Sequence, residues 1–209
     1  MSTLFLFILE MIGTVSFAIS GAVTGVKKKM DLFGVLILGL VTAVGGGVIR
    51  DLILGLTPPA TFRDPVYALV AGATSLIVFI PSVRRIFLDQ KHIVELILRI
   101  ADSIGLGVFT VVGIKIAYGV SAEYNIFLLI FVGTVTGVGG GVLRDMMAGD
   151  RPYIFVKHFY ACASLAGALI CATLWHPVGE TFAMLCGIAA VVTLRLLAAH
   201  FRWSLPRAN

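Results

Sequence analysis

Apolar residues fall in long runs, separated by short clusters of charge or by Pro and Gly. Each run is roughly 18 to 25 residues long, the length that crosses the hydrocarbon core of a bilayer as an α-helix. Read between the punctuation, the pattern predicts seven spans, at about 4–26, 32–56, 64–82, 96–119, 124–148, 157–175 and 180–200. Gly is frequent inside them, as expected where helices approach closely in lipid.

Composition removes the water-soluble alternative. Of the 209 residues 59% are hydrophobic and only 13% charged, and the mean hydropathy is +1.03. A soluble core cannot absorb that much apolar surface. The first run starts at Leu4 with no basic segment ahead of it and is followed by Lys27, Lys28 and Lys29. That order is the reverse of a secretory signal, so a retained first span is expected.

The net charge of +5 does not point to nucleic acid, because the basic residues sit at the ends of apolar runs and form no stripe. They read as topology signals. With the N-terminus outside, Lys27, Lys28, Lys29, Arg84, Arg85, Lys91, Arg151, Lys157, Arg202 and Arg207 all lie on the cytoplasmic side, and the opposite loops hold Arg63 with Glu123 and Glu180. The expectation is an inner-membrane, multi-pass chain with its N-terminus outside and its C-terminus in the cytoplasm, in contact with lipid.

The sequence repeats itself. Residues 42–55, TAVGGGVIRDLILG, match 136–149, TGVGGGVLRDMMAG, with Thr, Val, three glycines, Val, Arg, Asp and a final Gly in identical places. Upstream, 10–21 matches 102–113, pairing Glu10 with Asp102 and Phe17 with Phe109; downstream, Pro59, Phe62 and Tyr67 align with Pro152, Phe155 and Tyr160. A three-span unit that is duplicated must enter the membrane in opposite directions. The predicted fold is an all-α membrane protein of seven transmembrane helices, a single transmembrane domain over 1–209: one three-helix repeat at 4–82, an inverted one at 96–175, and a seventh helix at 180–200. Such repeats place a site or pathway near the midplane between them.

Candidate chemistry concentrates in the duplicated motif. Gly45, Gly46 and Gly47, with Gly139, Gly140 and Gly141, predict a kink or break in spans two and five, since each glycine costs about 1 kcal/mol relative to Ala inside a helix. Backbone groups freed there must face protein, water or ions. The alternative is that the triplets permit close packing. Arg50, Asp51, Arg144 and Asp145 are too costly to face lipid, and because adjacent residues on a helix do not face each other, each is expected to pair across helices. Glu10 and Asp102 either line a cation vestibule or stabilise helix N-termini. Lys115, inside an otherwise apolar span, either gates a cation path or snorkels to the interface. Hydroxyls such as Thr14, Ser20, Thr42, Thr110 and Thr136 wet a path or bond helix carbonyls.

Cys162, Cys171 and Cys186 lie in apolar segments without metal-ligand spacing, and His158, His176 and His200 are scattered, so no metal site is expected. The glycine triplets lie within apolar spans rather than after a strand and are no nucleotide fingerprint. No catalytic constellation is visible, and an enzyme is not expected.

The paired GGGxxRD segments, the F-A-I-S-G-A stretch at 17–22 and the seven-span plan resemble the prokaryotic branch of the TRIC family, the trimeric intracellular cation channels. The resemblance implies a homotrimer with a pore in every protomer, helices two and five kinked at the glycines, Arg50, Asp51, Arg144 and Asp145 as the polar positions after the kinks, and conduction of a monovalent cation, usually potassium, with no other cofactor. Lys115 lies in the span where animal members carry a pore-related lysine, which makes it the candidate gate. Inverted repeats are equally the build of secondary transporters, so a carrier for a small solute such as glycine or another small amino acid stays open beside the channel.

Overall fold

The computed structural model describes residues 3–89, 91–121, 123, 125–156, 159–201 and 203, and side chains except those of residues 3, 86–89, 91–94 and 156. Lys157, His158, Arg202, Arg207 and the Lys91 side chain, which entered the reading of charge and histidines, lie outside what is described. Among the described residues the elements are helices: α1 Thr3–Lys27, α2 Leu32–Ile53, α3 Ala60–Arg63, α4 Val66–Phe79, α5 Pro81–Asp89, α6 Lys91–Val120, α7 Ile126–Met147, α8 Tyr153–Val156, α9 Tyr160–Leu174 and α10 Glu180–His200.

The duplication is written into the local structure. Helices α2 and α7 are both 22 residues long and both start from a side-chain cap: Gly34 N–H donates to Asp31 (2.7 Å), and Leu128 N–H to Asn125 (2.8 Å). Both end at a left-handed glycine, Gly55 (φ 71°) and Gly149 (φ 70°). Past it, Leu56 N–H returns to the Asp51 carbonyl (2.8 Å) and Asp150 N–H to that of Asp145 (2.9 Å). This closure satisfies carbonyls the helix would leave open, and only glycine takes that backbone without strain.

Among the described residues five helices are long and apolar enough to cross a membrane: α1, α2, α6 from Glu95, α7 and α10. The third and sixth predicted spans differ from expectation. They are α4 and α9, of 14 and 15 residues, about 21 and 22 Å at 1.5 Å per residue against a hydrocarbon core of about 30 Å. Proline explains part of the shortening: Pro65 caps α4 and Pro81 opens α5, so the run 64–82 is cut at both ends. The polar stretch before the fourth span is helical as well, and α6 reaches back to Lys91.

The two repeat-related long helices α1 and α6 cross in opposite directions. Gly13 lies against Val108 and Phe109, Phe17 against Gly105, and Ser20 shares a partner with Asp102, so the contacts ascend one helix as they descend the other. Helices α2 and α7 meet at the glycine triplets. A Cβ on Gly46 would stand 2.2 Å from the Thr136 carbonyl oxygen, and one on Gly140 2.0 Å from that of Thr42. Helix α10 packs on α6 and α9 through Gly107, Gly167 and Gly187.

Candidate functional site

A buried charge network lies where the last turn of α7 meets α1, α6 and α10. Arg144, 2% exposed, donates from Nε to Asp145 Oδ1 (2.8 Å) and from Nη1 to both Asp102 Oδ1 (2.6 Å) and Ser20 Oγ (2.5 Å). Its guanidinium lies 4.9 Å from the centre of the Tyr153 ring. Asp145 Oδ2 accepts the Tyr153 amide (2.8 Å), which ties the loop after α7 to the helix end. Arg195 enters from α10: Nη2 is 3.6 Å from Asp102 Oδ2, and the guanidinium stacks 4.6 Å over the Tyr160 ring. Charges this deep persist only when paired, and each arginine here is held by a carboxylate and an aromatic face.

The first repeat carries the same frame with different partners. Arg50 Nε donates to Asp51 Oδ1 (2.8 Å), and Asp51 Oδ2 accepts the Ala60 amide (2.8 Å), in parallel with Asp145 and Tyr153. Glu10, the counterpart of Asp102, accepts instead from the Tyr67 hydroxyl (2.6 Å).

Between α1, α6, α7 and α10 opens a cavity of about 400 Å³. Buried Ser20, Asp102, Arg144 and Arg195 form its floor, and exposed Lys27, Glu95 and Arg99 stand at its mouth. The acid and base of the second repeat are thereby joined to a solvent-sized space.

Several sequence expectations are corrected. Of the kink or break expected at the glycine triplets, the break is absent: α2 and α7 stay helical through Gly45–Gly47 and Gly139–Gly141, and at Gly46 and Gly140 the opposite helix lies so close that only a residue without Cβ fits. The expectation that adjacent Arg and Asp could not pair fails for Arg50–Asp51 and half fails for Arg144. An arginine side chain is long enough to fold back onto the next residue when that carboxylate is fixed by the following amide. Neither Glu10 nor Asp102 lies in a first helical turn, since α1 starts at Thr3 and α6 at Lys91, so the helix-terminus reading of both is out. Asp102 lines the cavity, whereas Glu10 does not.

Lys115 is placed away from the cavity. Its Nζ pairs with Glu180 Oε1 (2.6 Å) at the start of α10 and lies 5.9 Å from the Trp175 ring centre. Thr42, Thr110 and Thr136 bond carbonyls one turn back in their own helices, and Thr110 also meets Ser164 Oγ (2.7 Å). Arg195 and Arg99 went unnoticed in the sequence, and Tyr160 entered only as the repeat counterpart of Tyr67. A lone arginine deep in the seventh apolar run was the available signal, because a buried charge in such a run implies a partner.

A family model described as Glycine transporter matches residues 7–82 and 99–176. The UPF0126 inner membrane protein YadS of Escherichia coli K12 is 36% identical over 94% of this chain and 92% of its own. A structure described as a TRIC cation channel is 41% identical, covers 97% of this chain and 96% of its own, and superposes with a TM-score of 0.84. The chain belongs to the family of that model and of the TRIC channels. The TRIC orthologue of Rhodobacter sphaeroides is 30% identical over 95% of this chain and 98% of its own, with a TM-score of 0.85. As a TRIC-family protein this chain is a multi-pass membrane protein, and the solved relatives are channels rather than enzymes.

Proposed function

We propose that this TRIC-family chain is a channel for monovalent cations, with potassium the principal ion, in the inner membrane with its N-terminus outside. The observation that carries the reading is the likeness, over nearly the full length of both chains, to a protein described as a TRIC cation channel. The chain assembles as a homotrimer in which each protomer holds its own path between inverted repeats, past the Gly45–Gly47 and Gly139–Gly141 crossing of α2 and α7. Arg50, Asp51, Arg144 and Asp145 fix the helix ends that flank it. The antiparallel crossing of α1 with α6 supports this architecture.

A second reading is favoured by two specific observations. The matching family model is described as Glycine transporter, and the cavity presents basic and acidic side chains together, as a zwitterion requires. Purified protein in liposomes separates the two. A channel passes potassium under an applied potential and gives unitary currents in a planar bilayer. Glycine uptake that saturates and follows a glycine gradient, without such currents, would overturn the channel.

A further inference from the structure

The duplicated halves carry an acid and a phenylalanine at the same interval. Glu10 and Phe17 are seven residues apart, as are Asp102 and Phe109. Seven residues make two helical turns, so each acid shares a face of its helix, α1 or α6, with its own ring. The helices run antiparallel, which sends the two acids to opposite ends of the crossing and brings the two rings together between them. Glu10 takes the Tyr67 hydroxyl at one end, and Ser20, one turn beyond Phe17, joins Asp102 on Arg144 at the other. At 1.5 Å per residue the levels of Glu10 and Ser20 are about 15 Å apart. The cavity entering from the second end has Ser20 and Asp102 on its floor, so it stops one turn short of Phe17.

The layer between the two polar ends is made of hydrocarbon. The Phe17 and Phe109 rings lie 5.3 Å apart between centres and tilt by 58°, a favourable aromatic pairing. Each is seated on a glycine of the other helix: Phe17 against Gly105, and Phe109 with its Cζ 3.0 Å from the place a Cβ on Gly13 would take. Phe17 also reaches the α2–α7 crossing, where its Cδ2 is 3.2 Å from the Cβ position of Gly140. Val44 and Val138, which precede the two glycine triplets, pack on the same cluster. The two rings are not equally held. Phe17 is 1% exposed, whereas Phe109 is half-buried.

We propose that Phe17 and Phe109 form an apolar gate across the path between the repeats, shut with the rings as they lie here and opened by Phe109 swinging off Gly13. Phe17 is the fixed jamb and Phe109 the moving leaf. A hydrated cation is stopped at this layer because hydrocarbon side chains return none of the oxygens it would shed, and a constriction lined in this way gates by losing its water. The choice of a cation as the species stopped rests on the channel reading of function.

The test is planar-bilayer recording of the purified full-length protein, with potassium flux in liposomes beside it, for Phe109→Asn and Phe109→Leu. The two replacements are close in size and opposite in polarity. Asn gives water a partner within the dry layer and should raise open probability about tenfold or more, whereas Leu should stay close to wild type. Wild-type open probability in a folded Phe109→Asn protein overturns the gate, and the rings are then packing alone, read as lowered melting temperature in both variants. An equal rise in both variants also overturns it, because a plug that acts by bulk is indifferent to polarity. If Phe109→Asn does not fold, Phe109→Thr against Phe109→Val repeats the comparison with a hydroxyl in place of a methyl, and equal open probability in that pair overturns the gate. The channel reading stands or falls separately, on wild-type protein. Should wild type take up glycine and pass no current, the channel is lost, yet the gate is upheld if Phe109→Asn gains a potassium leak and overturned if it gains none.

Discussion

Replacing Gly140 by alanine tests the central crossing of α2 and α7 with a single methyl group. The added Cβ would stand 2.0 Å from the Thr42 carbonyl oxygen, 3.1 Å from its carbon and 3.2 Å from Phe17 Cδ2. Two of these atoms are backbone and cannot rotate away, so the helices must part by more than about 1 Å to restore contact distance. Overpacking of this kind costs roughly 1–3 kcal/mol, and a backbone clash belongs at the upper end. Alanine also improves helix propensity by about 1 kcal/mol, which would mask part of the cost. Gly72→Ala in α4 controls for that gain, because its Cβ would meet only Leu36 Cδ1 at 3.8 Å. The difference between the two variants isolates the packing cost, about 3 kcal/mol, or roughly 6–12 °C in melting temperature for a chain of this size. Thermal melting of detergent-purified protein by circular dichroism measures it. Gly46→Ala, 2.2 Å from the Thr136 oxygen, should behave alike, and the double variant should lose less than the sum, since helices already parted by one methyl admit the second. If Gly140→Ala melts within about 2 °C of Gly72→Ala, the close crossing described here is wrong.

Three further outcomes are expected. Lys115→Gln should cost less than about 1 kcal/mol, because its partly exposed pair with Glu180 is screened, and should leave unitary current unchanged; a rise in current would identify Lys115 as the gate. Arg144→Met should cost about 3–5 kcal/mol by leaving Asp102 and Asp145 buried without their main partner, whereas Lys28→Gln, at the exposed pair with Asp150, should cost under about 1 kcal/mol; equal melting shifts would mean that water reaches Arg144. A cysteine introduced beside Lys28 should be shielded from impermeant reagent in intact cells and one beside Glu123 labelled, and labelling of both would overturn the orientation.

The parts of this protein that were legible in sequence are those set by length and repetition. Apolar runs located the long helices, and the identical GGGxxRD segments fixed which elements correspond, down to the matched closures at Gly55 and Gly149. Pairing was less legible. Helical spacing says that residues 50 and 51 diverge, but it is blind to the Ala60 amide, which arrives from the next loop and fixes the carboxylate for Arg50 to fold onto. The glycine triplets posed a similar difficulty. Propensity counts their cost in an isolated helix, while their use lies in the Thr42 and Thr136 carbonyls of the opposite helix, which no local rule can see. Arg195 escaped for another reason: comparing repeats draws attention to what is doubled, and α10 is single.

The crossing at Gly46 and Gly140 has a bearing on how such a chain could arise. Each glycine is the socket for the carbonyl four residues before the other, so the contact is the same when the two halves are exchanged. That is the geometry of an isologous dimer, in which one surface patch serves both sides. A half-length ancestor inserting in both orientations would have closed this contact with one glycine encoded once and used twice. Fusion of two such copies would free each half to drift, in keeping with the differing partners of Glu10 and Asp102 around a junction where a methyl group on either side meets backbone.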